Sequence, residues 1–198
     1  MIFDDLKNNL IITDEEFDTI YPERARNLTQ RHWTPVDVAI QAAEFLADNP
    51  DAKVLDIGSG VGKFCMIGAA VTEGYFTGVE YRDYFFHLSE FVLECYGLPR
   101  VKFIHSNITN IKFQDYNGIY FFNSFQENID DSAIIDPTVE TGEEQYHLYT
   151  GYVFDQLSLM PIGTRLATYW GKNNKIPKQY TLLFSDFNGE LKCWEKTE

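Results

Sequence analysis

Between Phe113 and Thr164 the chain has no lysine and no arginine, while Asp115, Glu127, Asp130, Asp131, Asp136, Glu140, Glu143, Glu144 and Asp155 all fall there. Such a run is either a solvated face or an acidic mouth that draws in a cationic or amine-bearing ligand. Basic residues are scarce throughout: 16 Lys and Arg stand against 30 Asp and Glu, a net charge of −14. That surface repels polyphosphates, so free nucleic acid is disfavoured as a partner. Long apolar runs are also missing. No stretch approaches the roughly 20 residues a membrane span needs, and no membrane role is expected. Met1 is followed by acids rather than by the basic and then apolar run of a secretory leader. Cysteine is sparse: Cys65, Cys95 and Cys193 have no metal or redox spacing. Reduced thiols of this kind suit a cytoplasmic protein. Cys65 and Cys95 fall in helical patterns and read as small core residues. His87, His105 and His147 have no second ligand at useful spacing, so no metal is expected. Internal repeats and low-complexity linkers are absent.

The residues that are present describe a folded α/β chain. Of 198 residues, 44% are apolar and 16% aromatic, which excludes a disordered chain and leaves enough to bury a core. Residues 1–33 are acidic and mixed, with apolar positions that predict one or two short helices, a lid or substrate segment over the domain formed by 34–198. Thr34-Pro35-Val36-Asp37 predicts a helix start, with a hydroxyl cap, a first-turn proline and an acid three residues after the cap. Alternating elements follow: strands at 53–57, 75–80, 101–105, 118–123 and 164–169, helices at 62–71, 83–96 and 143–159, with Gly97 capping the second of these. A closing hairpin is predicted at 180–185 and 191–195 around Asn188-Gly189. This alternation argues for a mostly parallel sheet with helices on both faces.

The most informative stretch is Val54-Leu55-Asp56-Ile57-Gly58-Ser59-Gly60-Val61-Gly62-Lys63-Phe64. It reads as a buried strand, a glycine turn and the start of a helix. Alternating glycines permit unusual φ values and let a ligand lie against bare main chain. The spacing is acid-x-Gly-x-Gly-x-Gly. A dinucleotide fingerprint, Gly-x-Gly-x-x-Gly, would need its third glycine where Lys63 stands, which argues against an NAD-dependent dehydrogenase. In open α/β sheets ligands sit beyond the C-terminal strand ends. Here those ends carry Asp56 to Gly62, Glu80, Ser106-Asn107, and Asn123 to Glu127.

This pattern resembles motif I of the class I S-adenosylmethionine-dependent methyltransferases, over roughly residues 34–195. The resemblance implies a Rossmann-like three-layer αβα sandwich with a seven-stranded sheet in the order 3-2-1-4-5-7-6, the seventh strand antiparallel. It implies S-adenosylmethionine as cofactor and S-adenosylhomocysteine as product. It further implies that Gly58, Ser59, Gly60 and Gly62 admit the methionine and ribose part, while Asp56 orders the loop and helps hold the amino end. Glu80 would accept the ribose hydroxyls, a task suited to a carboxylate's paired oxygens, with Tyr81 packing on the sugar or adenine. Asn107 would accept the adenine amino group, or else cap its strand end as an Asx turn, and Ile108 would add an amide and an apolar wall. In related enzymes an N-terminal segment folds over the cofactor, a part open to His32 or Trp33.

Amine- and amide-directed methyltransferases often carry Asp/Asn-Pro-Pro-Tyr/Phe after strand 4. Here Asn123-Ser124-Phe125 keeps the amide and the aromatic but lacks the prolines. The run through Glu127-Asn128 also resembles the Asn-Pro-Phe-x-Glu-Asn of some bacterial members. Asn123 would orient the acceptor and touch the cofactor, Phe125 would stack on the target, and Glu127 would take a proton. The function so implied is methyl transfer to nitrogen on a protein or small-molecule acceptor, which needs position and exclusion of water more than acid–base machinery. The alternative is a regulator or partner subunit that binds the cofactor on the same fold without methylating.

Overall fold

The computed structural model describes residues 1–122, 124–130, 135–136, 139–170 and 176–198, apart from the Gln30 side chain. Seven strands form one sheet: β1 (Lys53–Ile57), β2 (Tyr75–Glu80), β3 (Val101–His105), β4 (Gly118–Phe122), β5 (Arg165–Tyr169), β6 (Tyr180–Asp186) and β7 (Leu191–Lys196). Their order is β3-β2-β1-β4-β5-β7-β6, as the resemblance implied. The first five run parallel, and β7 lies antiparallel to both β5 and β6. The order reverses between β1 and β4, which opens a crevice beyond the C-terminal ends of those strands.

The central strands are apolar on both sides because both sides are covered. In β1, Val54 enters one core cluster, and Leu55 and Ile57 enter the other. In β4, Tyr120 joins the first cluster, and Ile119 and Phe121 join the second. Strand alternation thus builds two cores from one sequence run. Helices α5 (Val36–Leu46), α6 (Lys63–Val71) and α7 (Asp83–Tyr96) cover the first side, and α8 (Glu143–Leu159) covers the second through Tyr146, Val153 and Leu157.

Four short helices precede α5, where one or two were expected: α1 (Ile2–Lys7), α2 (Asp14–Phe17), α3 (Glu23–Arg26) and α4 (Thr29–His32). Phe3, Leu6, Phe17, Tyr21 and Ala25 are buried in the same core as α5 to α7. Polar bonds fasten the segment too. Lys63, only 2% exposed, donates to Asp14 at 2.6 Å and to Asp18 at 2.8 Å. The first residue of α6 is therefore tied to the N-terminal helices by a buried lysine held between two carboxylates.

The start of α5 departs from the expected cap. Thr34 makes no capping bond; its hydroxyl pairs with the Tyr120 hydroxyl at 2.9 Å. The Val36 amide instead donates to Asp14 at 3.0 Å, and the Val38 amide to Asp37 at 2.9 Å. A distant carboxylate replaces the local hydroxyl because Thr34 is buried against β4. Strand β5 begins at Arg165 rather than Thr164, whose hydroxyl turns back to the Pro161 carbonyl at 2.8 Å.

Gly97 ends α7 in the left-handed region at φ +63, as expected, with open space where a Cβ would stand. The cost of Gly97→Ala is therefore purely conformational, about 1 kcal/mol of stability. Denaturant unfolding of the two proteins measures it directly.

Candidate active site

The glycine turn gathers the candidate site because each glycine meets a different demand. Gly58, Gly60 and Gly62 have φ of +72, +53 and +78. A Cβ on Gly58 would sit 2.8 Å from the Ser124 Cβ, and one on Gly60 would run into the Trp33 ring. Backbone conformation and close approach both hold those two positions to glycine. A Cβ on Gly62 would run into the Phe103 ring and meet Ser89, and Gly62 lines neither of the cavities beside the turn.

Two cavities meet at this turn. The larger, about 260 Å³, lies over Asp56, Gly58, Ser59 and Gly60 and is walled by Trp33, Phe64, Phe85, Tyr120, Phe122 and Trp170. The smaller, about 60 Å³, is bounded by Tyr81, Asn107, Ile108, Phe125, Glu127 and Tyr149. Gly58, Glu80, Arg82 and Ser124 line both. Expected cofactor residues from three strand ends thus line two adjacent cavities with a shared wall.

Glu80 sits at the junction, 3% exposed. One oxygen accepts the Gly60 amide at 2.9 Å; the other accepts the Arg82 amide at 2.7 Å and the Arg82 guanidinium at 3.4 Å. Asp56 lies under the turn on the α6 side, and the Cys65 thiol points at its carboxylate at 3.5 Å. Burial lifts its pKa from 3.8 to about 7, against the lowering effect of that thiol bond, with Glu80 adding a further push upward. Ser59 is buried against Gly78, and its hydroxyl has no hydrogen-bond partner.

On the smaller cavity, Asn107 caps the turn Ile108–Asn110: its side-chain oxygen accepts from the Thr109 amide at 3.0 Å and hydroxyl at 2.9 Å. Its amide nitrogen donates to the Tyr149 hydroxyl at 3.1 Å. Ile108 is buried, and Tyr81 is 55% exposed at the rim. Phe125 packs tilted between Phe121 and Tyr149, with ring centroids 5.6 and 5.2 Å away. It therefore borders the smaller cavity, not the larger one. Glu127 is 7% exposed and ion-paired with Arg82, with its other oxygen 3.4 Å from the Ile135 amide. Asn123 lies outside the described residues. Ser124 donates to the Ile57 and Phe122 carbonyls and so pins the end of β4 to the end of β1.

Several residues of the crevice carry no sequence signal of their own. Arg82 is one, because an arginine after a strand end is ordinary. Phe122 and Trp170 are others. They meet edge to face at 5.9 Å across the ends of two neighbouring strands, and Trp170 has a left-handed φ of +52. Chain adjacency gives no hint of that meeting. Trp33 packs edge-on to Phe85 at 5.2 Å and donates its indole N–H to the Ala25 carbonyl at 2.8 Å, so its roof over Gly60 is fixed from behind. His32 also lines the larger cavity; burial, aided by Arg31 and Arg82, lowers its pKa to about 4, so it is neutral at pH 7. Among the described residues, no group of three or more His, Cys, Asp or Glu could hold a metal ion, and no helix is long and apolar enough to cross a membrane.

No family model matches the chain, and no curated protein matches it in sequence. Solved structures do. An RNA methyltransferase from Salinibacter ruber, crystallised with S-adenosyl-L-homocysteine, superposes with a TM-score of 0.58 at 15% identity, covering 83% of this chain and 94% of that one. The putative methyltransferase yhhF from Escherichia coli gives 0.58 at 13% identity, covering 84% and 88%. TrmN from Thermus thermophilus gives 0.57 at 19% identity, covering 87% of this chain, which spans 51% of TrmN. With the sheet order and the glycine turn between β1 and α6, these likenesses identify the fold of this chain as that of the class I S-adenosylmethionine-dependent methyltransferases.

Proposed function

We propose that the chain binds S-adenosylmethionine along the two adjacent cavities and transfers its methyl group to an amine. The residues fit that cofactor. Glu80 lines both cavities, where a ribose diol would lie, and a carboxylate has acceptor capacity beyond the bonds it now makes. Ser59 offers a buried hydroxyl with no partner, and Gly58 and Gly60 leave main chain bare beneath the larger cavity. The bound cofactor would supply an already activated methyl group on a sulfonium. The protein's work is then placement and exclusion of water. Trp33 roofs the turn, Asp56 faces the larger cavity beneath it, and Phe122 and Trp170 wall the acceptor side.

The observation that carries the amine reading is the charge of the crevice. Lys63 stands between Asp14 and Asp18, Arg82 between Glu80 and Glu127, and Arg31 is matched by Asp130 at 3.1 Å. Asp56 adds a further carboxyl, and His32 is neutral. The larger cavity's own lining sets three cations (Arg31, Lys63, Arg82) against three carboxyls (Asp56, Glu80, Asp130). Asp14, Asp18 and Glu127 add further acid behind Lys63 and Arg82, so these cations are already engaged and the aromatic walls are left to receive a cationic guest. The acceptor class that fits is a lysine-rich protein segment or a small amine. An anionic RNA meets repulsion from the chain's net charge of −14.

Two measurements test this. In calorimetry the protein should bind S-adenosylhomocysteine and give no heat with NAD; the reverse would remove the methyltransferase reading. With radiolabelled S-adenosylmethionine, label should enter a lysine-rich protein and not bulk tRNA. Label confined to tRNA would overturn the amine acceptor. Firm cofactor binding with no labelled product from any cell fraction would point instead to a cofactor-binding regulator.

A further inference from the structure

We propose that Arg82 is a positioning residue that couples the adenosine side of the crevice to the segment after β4, acting through Glu80 and Glu127. The inference rests on S-adenosylmethionine being the cofactor. Its basis is the geometry of one guanidinium. Arg82 precedes α7 and lines both cavities, with its side chain 11% exposed. One Nη reaches Glu80 at 3.4 Å, and the other forms the ion pair with Glu127. Its Nε is buried and makes no hydrogen bond. Glu127 belongs to the single turn Gln126–Asn128, which follows Phe125 and Ser124 directly. One side chain therefore links the end of β2 to the chain leaving β4, the segment that borders the acceptor side.

The bonds around Glu80 are unequal, and this gives the coupling a direction. Its two oxygens hold the Gly60 and Arg82 amides at 2.9 and 2.7 Å, whereas the guanidinium contact is long, at 3.4 Å. A ribose diol arriving at Glu80 competes with the weakest of these. The guanidinium then gives up Glu80 and bonds Glu127 alone, which tightens the hold on residues 124–130. Removing either charge breaks the link. Glu127 is buried enough that it cannot turn to water without moving that turn.

The test uses S-adenosylhomocysteine as probe, with calorimetry for affinity and hydrogen–deuterium exchange over residues 124–130 for the link. In the native protein the ligand should slow exchange there. In Arg82→Gln and Glu127→Gln the ligand should still bind, within about tenfold of the native affinity, the scale of one charged hydrogen bond, but the protection of 124–130 should disappear. The double variant R82Q/E127Q replaces the ion pair by a neutral amide pair and leaves Glu80 its bonds from the backbone amides of residues 60 and 82, and it should be no worse than either single change. R82K, which keeps the charge, should restore part of the protection. Equal protection in native protein and R82Q would overturn the coupling while leaving the cofactor in place, as would strictly additive losses in the double variant. Failure of the native protein to bind the probe at all would remove both the coupling and the cofactor reading beneath it.

Discussion

Glu80→Ala should weaken S-adenosylhomocysteine binding by at least about 100-fold, the largest loss expected of any single change in the crevice. The carboxylate stands at the meeting point of the two cavities and is almost wholly out of solvent. A diol bonded to it gains two bonds to a charged acceptor, each worth about 1.5–3 kcal/mol. The substitution also frees the Gly60 amide, which Glu80 holds at 2.9 Å, and so loosens the turn that carries Gly58 and Gly60. Glu80→Gln keeps the shape and one acceptor oxygen and should lose about tenfold. Calorimetric titration of both variants, after a melting curve shows them folded, checks the ranking. Native affinity in the alanine variant would take Glu80 out of the site.

Asp56→Asn should remove a fall in stability between about pH 4 and 7. The Asp56 carboxyl titrates near 3.8 when the chain is open and near 7 when folded, because burial resists its charge. Below pH 4 both states keep the proton and the group contributes no pH dependence. Between about pH 4 and 7 the unfolded chain gives up the proton while the folded chain holds it, so stability falls as pH rises. Above pH 7 the full cost is present, about 4 kcal/mol from a shift of roughly three pH units. An asparagine carries no such dependence. The stability of Asp56→Asn relative to the native protein should therefore increase by about 4 kcal/mol from pH 4 to pH 8, as read by urea unfolding across that range. A constant difference would mean that Asp56 is ionised throughout. The same carboxyl makes cofactor binding a proton-linked event. An ammonium arriving above it favours the ionised form, so S-adenosylhomocysteine binding at pH 6.5 should release a proton, visible as a binding heat that changes with the buffer's ionisation heat.

The glycine turn and the strand ends beside it were legible along the chain. Asp56 to Gly62 announces itself because strand, turn and helix lie within a dozen consecutive residues, and a left-handed backbone leaves glycine little competition. The places of Glu80 and Asn107, at and just beyond strand ends, were legible for a similar reason: each follows an apolar run that stands out against its flanks. The aromatic wall of the larger cavity was not legible in that way. Phe122, Trp170 and Trp33 become one wall only because β4 lies beside β5 and because α4 folds back over the turn. Nothing at its place in the sequence showed that Glu127 is paired with Arg82, 45 positions earlier in the chain.

Thr34 and Gly62 show the same division on a smaller scale. Thr34 has the right residue type and spacing for a helix cap, but burial beside β4 gave its hydroxyl to Tyr120 and left the first amide to Asp14. Gly62 belongs to the motif by spacing, and the Phe103 ring and Ser89 occupy the space a Cβ there would need. The sequence by itself determined the sheet, its helices and the glycine turn, because periodicity, strand ends and backbone freedom are properties of neighbouring residues. The tertiary structure alone decided which carboxylates are neutralised, which aromatics face the cavity and which cation joins its two sides, because burial and charge pairing depend on elements far apart in the chain.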